Sequence, residues 1–187
     1  MKRLYFTKMS GAGNDFILFD KKINPDIELS ARFIADLCRK HTGVGADGVI
    51  LISDSNNTLF EMNYFNSDGS TGSLCANGAR CAVQYGKLSG RYNNEKIKFK
   101  SNGLEYSGAV LDNGLVQFFL NHPKKMKQNF KIKVWNQLIS ASYADTGAPH
   151  IIININDVLK DPADENSCYD EPNGFPVFEL GKEIRYH

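Results

Sequence analysis

Little in this sequence points to a disulfide scaffold, a membrane or a polyanionic partner. Its four cysteines, Cys38, Cys75, Cys81 and Cys168, are too few and too unevenly spaced to staple 187 residues, and no C-x-x-C pair marks a zinc site. They read as free thiols. No apolar run approaches the ~20 residues of a membrane span, and the opening MKRLYFTKMSGAGNDF lacks an apolar stretch of signal-peptide length. A cytoplasmic location is the default expectation. Neither sign of charge prevails, since 22 Lys and Arg face 21 Asp and Glu for a formal net charge of +1. That balance gives no global electrostatic reason to bind nucleic acid or an anionic membrane. No internal repeat of solenoid spacing is present. What remains is a chain that is 42% hydrophobic, able to bury a real core as one large domain or two small ones.

Short strand signals dominate. RLYFTK (residues 3–8) and FILFD (residues 16–20) are aromatic and branched runs separated by the glycine-bearing turn MSGAGND, which resembles a hairpin. Helical spacing follows, with Leu29, Phe33, Ile34, Leu37 and Cys38 on one face, so Cys38 is expected in the core. VILIS and FEMNYFN are two further strands. Ala79, Ala82, Val83 and Leu88 then line a short helix ended near Gly86 and Gly90, small enough to sit tightly inside a curved sheet. KIKFKS, LEYSGAVL and GLVQFFL form a meander through the turns Asn102-Gly103 and Asp112-Asn113-Gly114. The basic, polar stretch near residues 119–129 reads as a boundary or linker, and its lysines as a solvated surface without the aromatic interleaving of a nucleic-acid site. Beyond it, two more strands joined through a glycine-proline turn are expected, then an acidic stretch with one turn's worth of helical signal. The pattern is α+β.

The densest chemistry lies in NSDGSTGSLCANGARCAV (residues 66–83). A cysteine at the start of a helix meets unpaired backbone N–H groups and the positive end of the helix dipole, which favour a thiolate. If Cys75 stands there, the amides of Ala76, Asn77 and Gly78 also grip a carboxylate beside the sulfur. Cys81, further into the helix, is expected to face the core. The bland alternative is an inert buried thiol, and turn residues on both sides of Cys75 argue against it. A cysteine-protease reading needs a histidine paired with the sulfur, and sequence places none of His41, His122, His150 or His187 beside it. GAGNDF at residues 11–16 lacks a third glycine and precedes a strand, so it is no dinucleotide fingerprint. GVGADG at residues 43–48 reads as a helix stop and strand entry. Asn14 and Asn66 read first as turn formers and only second as ligand contacts.

Four segments in this order, KMSGAGNDF, HTGVGADGVI, YFNSDGSTGSLCANGARCA and DTGAPHIII, resemble the diaminopimelate epimerase family across nearly the whole chain. The resemblance implies two similar domains, each a mixed sheet curled round a central helix, here residues 1–119 and an incomplete second domain over residues 120–187. It implies interconversion of LL- and meso-diaminopimelate for lysine and cell-wall synthesis, without pyridoxal phosphate, metal or other cofactor, in an enzyme that forms a homodimer. Two thiols act from opposite faces of the α-carbon, one as base and one as acid. Cys75 matches the first of them; Asn14 and Asn66 match substrate-binding asparagines. Ala76 and Asn77 match the pair holding substrate beside the thiol, and His150 matches a histidine near the site.

Ala76 departs from the usual glycine, and Gly48 and Ala148 stand where some members carry amide side chains. The family pattern also includes a second cysteine in a later glycine-rich turn and a last strand for the first domain, neither of which matches anything here. These 187 residues alone are therefore expected to be inactive. Two alternatives stay open: a racemase or isomerase of another small acid on the same fold, and a noncatalytic remnant that binds a carboxylate.

Overall fold

The structure is a computed structural model and describes residues 3–93 and 96–186; His187 lies outside them. The chain divides into two compact units between Asn121 and His122. In the first, seven strands form one mixed sheet in chain order: β1 (Thr7–Gly11), β2 (Asn14–Asp20), β3 (Gly48–Ser53), β4 (Glu61–Asn66), β5 (Lys96–Ser101), β6 (Leu104–Val110) and β7 (Val116–Phe119). β2 and β3 run parallel, joined through helix α1 (Ala31–Cys38), as do β4 and β5, joined through helix α2 (Ala76–Leu88); the other neighbours are antiparallel.

Turn chemistry sets the hairpins. Ala12 and Gly13 both adopt positive φ, 49° and 90°, so the β1–β2 turn is only two residues long and Asn14 opens β2 opposite Gly11. The hairpin expected from sequence therefore sits later than the aromatic run implied: β1 starts at Thr7, and the strand pairing reaches into the glycine-rich segment. Asn102 and Gly103, at 50° and 74°, make the same kind of turn between β5 and β6.

The central strands are apolar on both faces because both faces are covered. Phe16 and Leu18 of β2, with Ile50 and Ile52 of β3, pack into one cluster with Ala79, Ala82 and Val83 of α2. The intervening Ile17, Phe19, Val49 and Leu51 point the other way, onto Ile34 and Cys38 of α1. Ser30 caps α1, accepting from the Phe33 amide at 3.2 Å.

The sheet curls round α2, which packs against β1, β2, β3, β4, β6 and β7. Small residues make that approach possible. A Cβ built on Gly108 of β6 would stand 2.5 Å from Val83 Cγ2. The helix ends at Leu88, between Gly86 and Gly90 as expected, but Leu88, expected to line it, is 70% exposed at its last turn.

Two polar fastenings fix α2 along β2. At the far end, Arg91, just beyond the helix, donates from Nε to Asp20 Oδ2 at 3.0 Å and through a second N–H to Asp20 Oδ1, and reaches Asp54 Oδ1 at 2.8 Å. Tyr85 Oη donates to Asp20 Oδ2 at 3.1 Å and the Lys22 amide to Oδ1 at 2.8 Å. At the near end Asn77 bonds Asn14. The start of α2 is thereby held against the first residue of β2.

The second unit is a three-stranded antiparallel sheet in the order β10 (Pro149–Ile153), β9 (Gln137–Asp145), β8 (Lys124–Val134). A 3-10 turn (Ile155–Asp157) and helix α3 (Val177–Arg185) follow, over a core of Ile132, Val134, Ile139, Ala141, Val158 and Leu180. β8 occupies much of the stretch that reads as a linker. Its first half is exposed, so its composition is polar, and two register irregularities, with Lys125 and Asn129 at positive φ, erase any alternation. Its turn to β9 is Trp135-Asn136, both at positive φ, where tryptophan gives no sequence signal of a turn. Among the described residues no helix is long and apolar enough to cross a membrane.

Candidate active site

Cys75 is the N-cap of α2, in extended backbone conformation (φ −103°, ψ 111°), with no side-chain cap hydrogen bond. Its carbonyl accepts from the Ala79 amide at 2.8 Å, closing the first helical turn. The amides of Ala76, Asn77 and Gly78 precede that bond and have no partner within the helix. The Cys75 side chain is half-buried against the core that surrounds α2. Free donors and a partly accessible sulfur thus meet at one point.

Beside them runs a chain of four side chains. Arg80, one turn into α2, donates to Asn77 Oδ1; Asn77 Nδ2 donates to Asn14 Oδ1 at 2.8 Å; Asn14 Nδ2 donates to Asp47 Oδ2 at 3.1 Å. The Asp15 amide donates to the same Asp47 oxygen at 2.9 Å, and the Asp47 amide donates to the Asp15 carbonyl at 2.8 Å. The Asp15 amide and then Asn14 hold the Asp47 carboxyl below the usual carboxylate range.

Asn66 ends β4 and takes part in a tight turn. Its amide donates to the Ser70 carbonyl at 2.9 Å and its Nδ2 to Ser70 Oγ at 3.0 Å, while its Oδ1 would lie 3.2 Å from a Cβ on Gly72. The ring of Tyr64 fills the space that side chains at Gly48 and Gly72 would take: a Cβ on Gly48 would stand 2.5 Å from Tyr64 Cε2, one on Gly72 2.4 Å from Cδ1. Burial, then the nearby Cys75 and Asp47, push the Tyr64 phenol up to about 12, so it stays a neutral hydroxyl. Gly48→Ala also meets the Phe65 carbonyl at 2.6 Å. This variant is expected to lose ~1–3 kcal/mol of stability, read from the urea midpoint. An unchanged midpoint would mean that β3, β4 and Tyr64 part freely.

The remaining thiols sit elsewhere. Cys81 is 3% exposed and burial pushes its thiol up to about 11. Cys38 lies in the α1 core and burial raises it too. Cys168 is half-buried in the second unit, bridged to Leu159. His150 is an exposed residue of β10 in the second unit, opposite Ala144. The structure thus brings Asn14, Ala76 and Asn77 together at Cys75 and adds three residues that sequence reading passed over: Asp47, Arg80 and Tyr64. Asp47 hid inside GVGADG, where a loop between helix and strand accounts for every residue. Arg80 lay within a run that reads as a plain helix.

A half-barrel sheet wound round a central helix is a fold with solved examples. A hydroxyproline epimerase from Agrobacterium vitis, crystallised with bound trans-4-hydroxy-L-proline, superimposes with a TM-score of 0.62 at 10% identity, over 84% of this chain and 54% of that one. Within that fold class the chain belongs to the diaminopimelate epimerase family, whose model matches residues 6–126. The diaminopimelate epimerase of Chlorobaculum tepidum is 35% identical over 151 residues, 80% of this chain and 57% of that protein. That of Hydrogenobaculum sp. is 33% identical over 98% of this chain and 65% of its own length. The chain therefore spans less than two thirds of each of these relatives.

Proposed function

We propose that this protein is a diaminopimelate epimerase, a cytoplasmic, homodimeric isomerase of lysine and cell-wall precursor synthesis, with Cys75 as one of two acid/base thiols. The observation that carries the reading is the meeting of Cys75, the open amides of α2 and the Asn14–Asn77 pair at one end of β2, in a chain of this family. Inversion at a carbon acid needs a base on one face and an acid on the other. Cys75 as thiolate takes the α-proton, the electron pair stays on the α-carbon and its carboxylate, and a second thiol of the complete polypeptide returns a proton from the opposite side. In the reverse direction the two exchange roles. The substrate carboxylate sits against the amides of Ala76, Asn77 and Gly78, which stabilise the charge as it builds. Asn14 and Asn66 hold polar groups of the substrate.

The test is to incubate the gene's full polypeptide with LL-diaminopimelate in deuterium oxide and follow α-proton exchange and meso product by NMR. Proline and hydroxyproline serve as competing substrates. Exchange with diaminopimelate alone supports the reading. Faster exchange with either imino acid moves the protein to another racemase, and absence of exchange with all three removes the enzymatic reading.

A further inference from the structure

The four-membered chain through Asn14 and Asn77 has a direction. A guanidinium only donates hydrogen bonds, and an ionised carboxylate only accepts them. Arg80 stands at one end and Asp47 at the other. Two amides between such ends have one self-consistent orientation. Asn77 turns its oxygen to Arg80 and its nitrogen to Asn14, and Asn14 turns its oxygen to Asn77 and its nitrogen to Asp47. Flipping either amide sets oxygen against oxygen or N–H against N–H at a junction. The anchor at Asp47 is itself fixed, because the same carboxylate oxygen takes the Asp15 amide and the two backbones exchange a second bond.

Each amide has two N–H donors, of which the chain uses one, and each amide oxygen already has a donor. The donor capacity left over on the two amides is one N–H on Asn14 and one on Asn77, and each oxygen keeps one further lone pair. The two N–H groups lie beside the backbone amides that open α2, which also only donate. All four residues of the chain are half-buried, so these hydrogen bonds are less exposed to competition from water than surface ones.

We propose that Asp47 and Arg80 are positioning residues that set the polarity of the Asn14–Asn77 pair, making its open side a donor surface that selects a carboxylate. This rests on the proposed function, and it names what sets the preference there. Asp47→Ala removes the acceptor that fixes the direction, whereas in Asp47→Asn the Asp15 amide would still hold an oxygen towards Asn14. Arg80→Met removes the donor at the other end, and Arg80→Lys restores one.

The experiment uses the full polypeptide and two readouts. In steady-state epimerisation, Asp47→Ala and Arg80→Met are expected to raise KM for diaminopimelate about 10-fold or more, the effect of losing a charge-assisted hydrogen bond. Their kcat should change less than about threefold, and Arg80→Lys should recover most of the KM. In side-chain amide NMR, diaminopimelate should shift the Asn14 and Asn77 Nδ2 signals of the wild type, and 1,5-diaminopentane, the same skeleton without carboxylates, should not. Unchanged KM in both variants, or equal shifts with the diamine, overturns the proposal. Carboxylate-dependent shifts in a wild type that turns over no diaminopimelate uphold the donor pair and refute the assigned reaction.

Discussion

Cys75→Ala is expected to lower α-proton exchange in the full polypeptide by on the order of 10²–10⁴-fold, the usual worth of a positioned acid/base group, while the protein stays folded. The side chain is half-buried and makes no cap bond, so its removal leaves the first turn of α2 closed by the Ala79 amide and the Cys75 carbonyl. A stability change within about 1 kcal/mol is expected. Cys81→Ala inverts the pattern. That thiol is 3% exposed in the core beneath β1, where a Cβ on Gly11 would come within 2.9 Å of its sulfur. Truncating it costs stability through lost packing and should leave exchange within a few-fold of wild type. Exchange in deuterium oxide together with urea midpoints separates the two thiols. Undiminished exchange in Cys75→Ala removes that sulfur from the chemistry, whatever the stability data say.

Part of this site is legible in the sequence because its signals are local. A cysteine followed by Ala76, Asn77 and Gly78 announces a helix start within four residues, and α2 begins at Ala76. Asn14 is legible as a turn neighbour, and it does flank the Ala12-Gly13 turn. Its link to Asn77 spans 63 residues and depends on α2 lying along β2, which no window of sequence reports. Asp47 and Tyr64 are harder still. Asp47 matters through what Asn14 does, and Tyr64 through space that two glycines leave empty. The fold divides the same way. β2 and β3 announce themselves as apolar runs, and Asn102-Gly103 as a turn. β8 pairs through its backbone while its early side chains stay in water, so pairing, which sequence does not display, decides its state.

Asp20→Ala is expected to cost ~3–5 kcal/mol, enough to unfold a marginal domain. The Asp20 and Arg91 side chains are each only 4% exposed, and the carboxylate takes two guanidinium bonds, the Tyr85 hydroxyl and the Lys22 amide. Removing it leaves a buried guanidinium whose one remaining acidic partner among the described residues is the exposed Asp54. The pH dependence follows from the direction of the Asp20 shift. Burial alone would raise its pKa, but the Arg91 hydrogen bonds and the Lys22 amide outweigh it and hold the carboxyl below its ordinary value. A group lowered on folding contributes stability that is fully present above the unfolded value, ~3.9 for Asp, and lost as pH falls through the folded one. Urea midpoints of wild type and Asp20→Asn should therefore stand far apart at pH 7 and converge as the pH drops below about 4. The clamp joins the end of β2 to the residue just beyond α2, so the same variant should loosen the helix along the strand and weaken the Asn77–Asn14 contact at its other end. A midpoint gap that persists unchanged at acid pH would mean that the ionisation of Asp20 has no part in holding α2.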